Sequence, residues 1–121
     1  MALGVIVLSV GLLCATTTAI AQAKKPIPKD PVRIAAVSFL TGAAAAPFGI
    51  PGYNTFVMCA DAINKEGGIL GRKIQILSKD EAGGVDAQVK LCRKLVLEDK
   101  VDVILGYISS ANCQAILPLS D

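Results

Sequence analysis

The feature that most constrains the fold of this chain is an alternation of short apolar segments with amphipathic ones. Residues 34–39, 73–78 and 101–105 have the length and the apolar character of β-strands. Strand, helix, strand, helix, strand in this order, with short connections, predicts right-handed crossovers and a parallel sheet. The predicted fold class is therefore α/β, a three-layer arrangement in which helices cover both faces of the sheet.

The helices are predicted from apolar residues that recur every three or four positions. The first helix ends at Gly67 and Gly68, because glycine readily adopts the left-handed conformation found at helix C-termini. Strand 101–105 is almost wholly apolar, which is typical of a strand covered on both faces. The apolar stripes comprise Tyr53, Phe56, Val57, Ala60 and Ile63 in the first helix, and Val85, Val89, Cys92 and Val96 in the second.

The N-terminal segment has the composition of a targeting signal rather than of a folded domain. Residues 1–23 contain an apolar stretch, too short for a bilayer span, followed by small residues suited to cleavage, and we interpret them as a signal peptide. Residues 24–31 hold three lysines and three prolines and are predicted to be a linker. The domain is expected to occupy residues 32–121, in a protein that is periplasmic or secreted.

The amino-acid inventory excludes several function classes. The net charge is only +2 and the basic residues are dispersed, so nucleic acid is not an expected partner. The absence of His removes the commonest general base and metal ligand. Outside the predicted signal, Cys59, Cys92 and Cys113 match no zinc-binding spacing. We therefore expect no enzyme activity, metal or cofactor, and we expect Cys59 and Cys92 to be buried on the helical stripes.

Ligands of parallel α/β sheets bind at the carboxyl ends of the strands, where two loops are predicted, 40–52 and 106–112. In the second loop, the hydroxyls of Ser109 and Ser110 and free backbone amides converge at the start of a helix, an arrangement that suits a carboxylate. The alternative is that one of these serines only caps the helix. In the first loop, Phe48 is either an aromatic wall of the site or a core residue.

Asp80 and Glu81 form an acidic pair at the end of the second predicted strand. Nucleotide-binding folds place a ribose-binding carboxylate at this point, but no glycine fingerprint precedes the pair. We therefore predict a solvated turn. A nucleophilic role for the serines is also not expected, since no base accompanies them.

Three segments together resemble type 1 periplasmic binding proteins of the leucine/isoleucine/valine-binding class. These are LTG followed by PFG within 40–49, INKEGGILGRKI at 63–74, and ILG followed by SS within 104–110. The resemblance implies a protein of two α/β lobes joined by a hinge, which closes on a small ligand and presents it to an ABC permease. The chain would be an N-terminal fragment that contains part of the first lobe.

The same resemblance implies roles for individual residues. Ser110 would bond the ligand's α-carboxylate, with Ile108 and Ser109 beside it, and Phe48 would line the pocket. The disulfide of founding members would join the positions of Gly84 and Ser109, so that bridge is absent. The implied function is a substrate-binding component of an ABC transporter that takes up an amino acid or a similar small carboxylate or amide. Its contact with the membrane would be only through the permease, and the alternative is the ligand-binding domain of a sensor or receptor.

Overall fold

The structure, a computed structural model, describes residues 26–119 and consists of one parallel sheet with helices packed on it. The sheet has three strands in the order β2-β1-β3, all parallel. The strands are β1 (Val32–Ser38), β2 (Ile74–Asp80) and β3 (Val103–Gly106). The helices are α1 (Ile50–Lys65), α2 (Gly84–Leu97) and α3 (Ser110–Ile116), with a π-helical turn at Ala45–Gly49 and a 3-10 turn at Leu117–Leu119.

The core lies on both sides of the central strand β1, whose side chains alternate between the two faces of the sheet. On one face Ala35 and Val37 pack with Leu95 of α2, and all three are fully buried. On the other face the hydroxyl of Ser38 donates to the carbonyl of Gly49, just before α1, at 2.9 Å. The predicted α/β class, with helices on both faces of a parallel sheet, is confirmed.

The strand order creates a crevice at the carboxyl ends of the strands. After β1 the chain continues into α1 on one face, whereas after β3 it continues into α3, which packs on α2 at the other face. Neighbouring strands whose connections leave in opposite directions define a topological switch point, where α/β folds bind ligands. The switch point of this sheet lies between the carboxyl ends of β1 and β3.

Several predicted boundaries and one predicted burial pattern differ from the structure. Strands β1 and β2 are each offset by one or two residues from the predicted 34–39 and 73–78. Helix α1 begins at Ile50 rather than near Tyr53, because Pro51 in its first turn has a φ already suited to a helix. Strand β3 begins at Val103, and the prediction that it is covered on both faces is wrong for the described residues. Val103 and Leu105 are 46% and 41% exposed, since β3 is an edge strand and α1 packs against β1 and β2.

One of the two predictions of a buried cysteine is confirmed and the other is wrong. Cys92 is buried, as expected, whereas Cys59 is exposed and its predicted burial is wrong. Helix α1 buries Ala60, and Cys59 follows Met58, which is itself 66% exposed, on the outward side of the helix. Cys59, Cys92 and Cys113 are all free thiols.

The segment before β1 is attached to the domain by its backbone. Residues 26–31 are exposed and form neither helix nor strand, and the guanidinium of Arg72 donates to the carbonyls of Asp30 and Pro31 at 2.6 and 3.1 Å. The predicted signal peptide, 1–23, lies outside the described residues and, like the linker boundary, stays a prediction. Within residues 26–119, the helices are too short or too polar to cross a membrane.

Candidate ligand-binding site

An open, largely apolar cavity of about 530 Å³ lies at the switch point, against the carboxyl ends of β1 and β3. Phe48 and Ile108, two of the four predicted site residues, contribute to its lining. They are 62% and 44% exposed, so Phe48 is not the core residue that the alternative interpretation required. The two predicted loops therefore meet at one cavity, each contributing a large apolar side chain.

The two predicted serines are not among the residues that line this cavity; they follow Ile108 directly, at the start of α3. Ser109 is the N-cap, and its hydroxyl oxygen accepts from the amide of Asn112 at 3.4 Å. Capping therefore accounts for Ser109 without a ligand. Ser110 is the first residue of α3 and is exposed, and its hydroxyl takes part in none of the hydrogen bonds within residues 26–119. That hydroxyl can donate to a ligand, although its binding role stays a prediction.

The backbone at the end of β3 explains how the second loop reaches the cavity. Gly106 has a φ of +142°, and a Cβ at this position would lie only 1.9 Å from the carbonyl oxygen of Val37. Tyr107 follows with a φ of +67°, and its amide donates to the same carbonyl at 3.3 Å. These two residues turn the chain so that Tyr107 packs against the core while Ile108 lines the cavity.

Asp80, at the end of β2, fixes the start of the first loop. Its carboxylate accepts from the amide of Leu40 at 3.0 Å, from the hydroxyl of Thr41 at 2.6 Å and from the amide of Ala82 at 3.0 Å. These hydrogen bonds, with that from Thr41 the largest contribution, hold the pKa of Asp80 below its ordinary value of 3.8. Asp80 is therefore committed to the loop as an ionised acceptor.

Glu81, the next residue, is completely buried and fixes the second loop. Its carboxylate accepts from the amides of Ile108 and Ser109, each at 2.7 Å, and from the side-chain amide of Asn112 at 3.1 Å. The prediction of a solvated turn at the acidic pair is therefore wrong. The two backbone amides that immediately precede α3 are therefore occupied by the protein's own carboxylate.

Tyr107 places its hydroxyl in the interior beneath the second loop. The hydroxyl is buried and has no hydrogen-bond partner among the described residues. Burial raises the pKa of Tyr107 to about 12, with smaller contributions from Cys92, Glu81 and Cys113. The ring therefore acts as an apolar support for the loop rather than as a polar group of the site.

A parallel α/β sheet with an apolar cavity at its switch point, and a few polar groups at the rim, is the architecture of a small-molecule-binding lobe. Residues 31–121 match the sequence model of the periplasmic binding protein family. The chain belongs to this family, as the resemblance of its motifs implied.

Individual relatives agree with this assignment. The chain is 33% identical over 107 residues to the Leu/Ile/Val-binding protein BraC3 of Rhizobium johnstonii, covering 88% of this chain and 28% of that protein. It is similar, with a TM-score of 0.67 and 25% identity, to the branched-chain amino acid transporter substrate binding protein LivJ from Streptococcus pneumoniae in complex with isoleucine, covering 73% of this chain and 25% of that one. An R. palustris ABC transporter solute binding protein in complex with 4-hydroxybenzoate gives a TM-score of 0.60 at 25% identity, covering 74% and 24%. The chain thus spans 24–28% of the length of these relatives.

Proposed function

We propose that this protein is the substrate-binding component of an ABC transporter and captures an amino acid or a related small carboxylate for uptake. Membership of the periplasmic binding protein family and the likeness to transporter proteins support this proposal. The observation that carries it is the apolar cavity at the switch point, with Phe48 and Ile108 in its lining and the uncommitted hydroxyl of Ser110 two residues further along the chain. The protein binds and releases its ligand in the periplasm or outside the cell, catalyses no reaction, and delivers the ligand to a membrane permease.

The chemistry of the cavity favours a ligand with an apolar body and one carboxylate. Phe48, Phe56 and Leu105 offer an apolar lining for an aliphatic or aromatic group. The Ser110 hydroxyl donates to the carboxylate, with Ile108 and Ser109 beside it, and hydrogen bonds to charged groups are the stronger ones. The isoleucine and 4-hydroxybenzoate named for two relatives share these two features. The name of the relative at 33% identity makes leucine, isoleucine and valine the first candidates.

A thermal-shift screen tests this function. It uses the full-length protein, meaning the complete gene product, expressed without the predicted signal peptide at residues 1–23. The panel comprises L-leucine, L-isoleucine, L-valine, 4-hydroxybenzoate and urea. We expect stabilisation by the branched-chain amino acids, because a ligand at a hundred times its Kd stabilises the folded state by about 2.7 kcal/mol. A folded protein that responds to no carboxylate in the panel would contradict the proposal, and a response to urea alone would replace the ligand class.

The variant Ser110→Ala tests the placement of the carboxylate in the same protein. Loss of a hydrogen bond to a charged group costs about 1.5–3 kcal/mol, so we expect the Kd for leucine to rise roughly 10- to 150-fold by calorimetry. Ser78→Ala, at an exposed serine of β2, is the matched control and should leave the Kd unchanged. An unchanged Kd in Ser110→Ala would remove Ser110 from the site.

A further inference from the structure

The candidate site is built next to a buried carboxylate that has no role in the proposed ligand contacts. Glu81 is fully buried, and both of its carboxylate oxygens accept hydrogen bonds from the loop that follows β3. The buried side chain of Asn112, in α3, donates a third bond to the same carboxylate. Glu81 therefore connects the end of β2 with both the loop and the helix that carry three of the four proposed site residues.

The energetics of this group make it a fixed attachment. A buried carboxylate is costly unless it is paired or hydrogen-bonded, and within residues 26–119 Glu81 forms no salt bridge. Its burial is compensated by the three hydrogen bonds, and bonds from backbone amides to a carboxylate are short and strong. Releasing the loop would leave the charge buried without donors, so the loop and Glu81 are held together.

The contact between Glu81 and the second loop joins segments that follow the two outer strands of the sheet. Glu81 follows β2 at one edge of the sheet, and its amide still bonds to the carbonyl of Ser38 in β1 at 2.8 Å. Ile108 and Ser109 follow β3 at the other edge, so β1 lies between the carboxylate's own strand and its partners. The two outer strands lie roughly 10 Å apart, since adjacent strands are about 4.8 Å apart. The second loop turns back over β1, where the amide of Tyr107 donates to the carbonyl of Val37, and this turn brings the amides of Ile108 and Ser109 within hydrogen-bond distance of Glu81.

From this geometry we infer that Glu81 is a positioning residue for ligand binding, which occupies the amides of Ile108 and Ser109 and thereby fixes the hydroxyl of Ser110 at the site. The inference rests on the proposed function. It also limits how the ligand is recognised: these two amides are not available to a ligand carboxylate, which leaves the Ser110 hydroxyl and the amides of the first turn of α3 as donors at this point. Glu81 itself does not contact the ligand.

The test compares Glu81→Gln with Glu66→Gln in the full-length protein. Glu66→Gln is a matched control, because Glu66 is exposed at the C-terminal end of α1, near the amino ends of the strands and away from the cavity. Glutamine at position 81 retains the size of the side chain but presents an NH₂ group to at least one of the amide donors. We expect the amides of Ile108 and Ser109 to exchange with solvent at least about tenfold faster in Glu81→Gln only.

Affinity for L-leucine separates positioning from general stability. We expect Glu81→Gln to weaken leucine binding on the order of tenfold, and to weaken it little further in a protein that already carries Ser110→Ala, because coupled residues are not additive. Glu81→Asp, which retains the charge on a shorter side chain, provides the same measurements if Glu81→Gln does not fold.

Three results are decisive. Wild-type exchange rates at Ile108 and Ser109 in the Glu81 variant would overturn the inference. So would a loss of affinity of equal size with and without the Ser110 hydroxyl, since Glu81 would then act through overall stability. If the wild-type protein binds no leucine, the proposed ligand class fails, whereas the exchange comparison still decides whether Glu81 holds the loop.

Discussion

The two loops that meet at the cavity are each held by one of two adjacent carboxylates, and they are held differently. Asp80 bonds the first loop through Leu40 and Thr41 and is itself partly exposed. Glu81 bonds the second loop while completely buried. The bonds to Asp80 compete with water, whereas those to Glu81 have no substitute. The same chemical group thus gives a replaceable attachment at one loop and an obligatory one at the other.

The consequence is a site in which a buried carboxylate holds the second loop, while the first loop contributes an exposed aromatic side chain. In the second loop, the close approach of Gly106 to β1 adds a second constraint to that of Glu81. In the first loop, a Cβ at Gly49 would lie 1.6 Å from the carbonyl oxygen of Phe39, so the backbone is held closely there too, whereas the neighbouring Phe48 side chain is 62% exposed. We expect the second loop to fix the position of the ligand's carboxylate and the Phe48 side chain to adapt to the ligand's body.

The largest effect that this comparison predicts is that of Gly106→Ala, in the second loop. A φ of +142° is accessible almost only to glycine, and the added Cβ would lie 1.9 Å from a backbone oxygen. We expect a loss of about 3 kcal/mol in the free energy of unfolding, measured by urea denaturation of the full-length protein.

Gly42→Ala in the first loop is the matched control for that variant. Gly42 also has a positive φ, of +79°, but nothing lies within 4 Å of its added Cβ. The backbone strain alone should cost about 1 kcal/mol. Equal losses in the two variants would show that the close approach of Gly106 to Val37 adds nothing to the backbone strain.

A smaller effect is expected for Asp80→Asn, which weakens the attachment of the first loop. The amide nitrogen of asparagine cannot accept from Thr41, so we expect a loss of about 1 kcal/mol at pH 7. Because the folded-state pKa of Asp80 lies below 3.8, its stabilisation is present above that pH and is lost as the pH falls below it. The difference from wild type should therefore shrink below about pH 4 in urea denaturation. A difference that stays constant down to pH 2 would show that the ionised form is not required.

The smallest effect is expected for Tyr107→Phe, beneath the second loop. The hydroxyl is buried without a partner, so its removal should leave stability unchanged or increase it by up to about 1 kcal/mol. Tyr53→Phe in α1 is the control, at a half-buried position where a change within about 0.5 kcal/mol is expected. A clear destabilisation by Tyr107→Phe in urea denaturation would mean that the hydroxyl has a partner in the full-length protein.

Much of the fold was predictable because its signals are local. Helical spacing located α1 and α2, and a predicted glycine stop at Gly67 coincides with a φ of +111° at that residue. For the candidate site, the structure places Phe48 and Ile108 in the lining of one cavity and Ser109 at the N-cap of α3, while ligand binding by these residues stays a prediction. Exposure was predicted less well, as Cys59 and β3 show, because it depends on what packs against an element rather than on the element's own pattern.

The sequence by itself determined which segments become strands and helices, and in which order. The reason is that the spacing of apolar residues, every 2 positions in a strand and every 3.6 in a helix, is a property of residues close together in the chain. Only the tertiary structure decided that β1 lies between β2 and β3, and therefore that Glu81 meets Ile108 and Ser109. The physical reason is distance along the chain. A contact between residues 27 or 28 positions apart exists only when the parallel sheet has brought the carboxyl ends of two strands close together, and no local pattern in either segment predicts it.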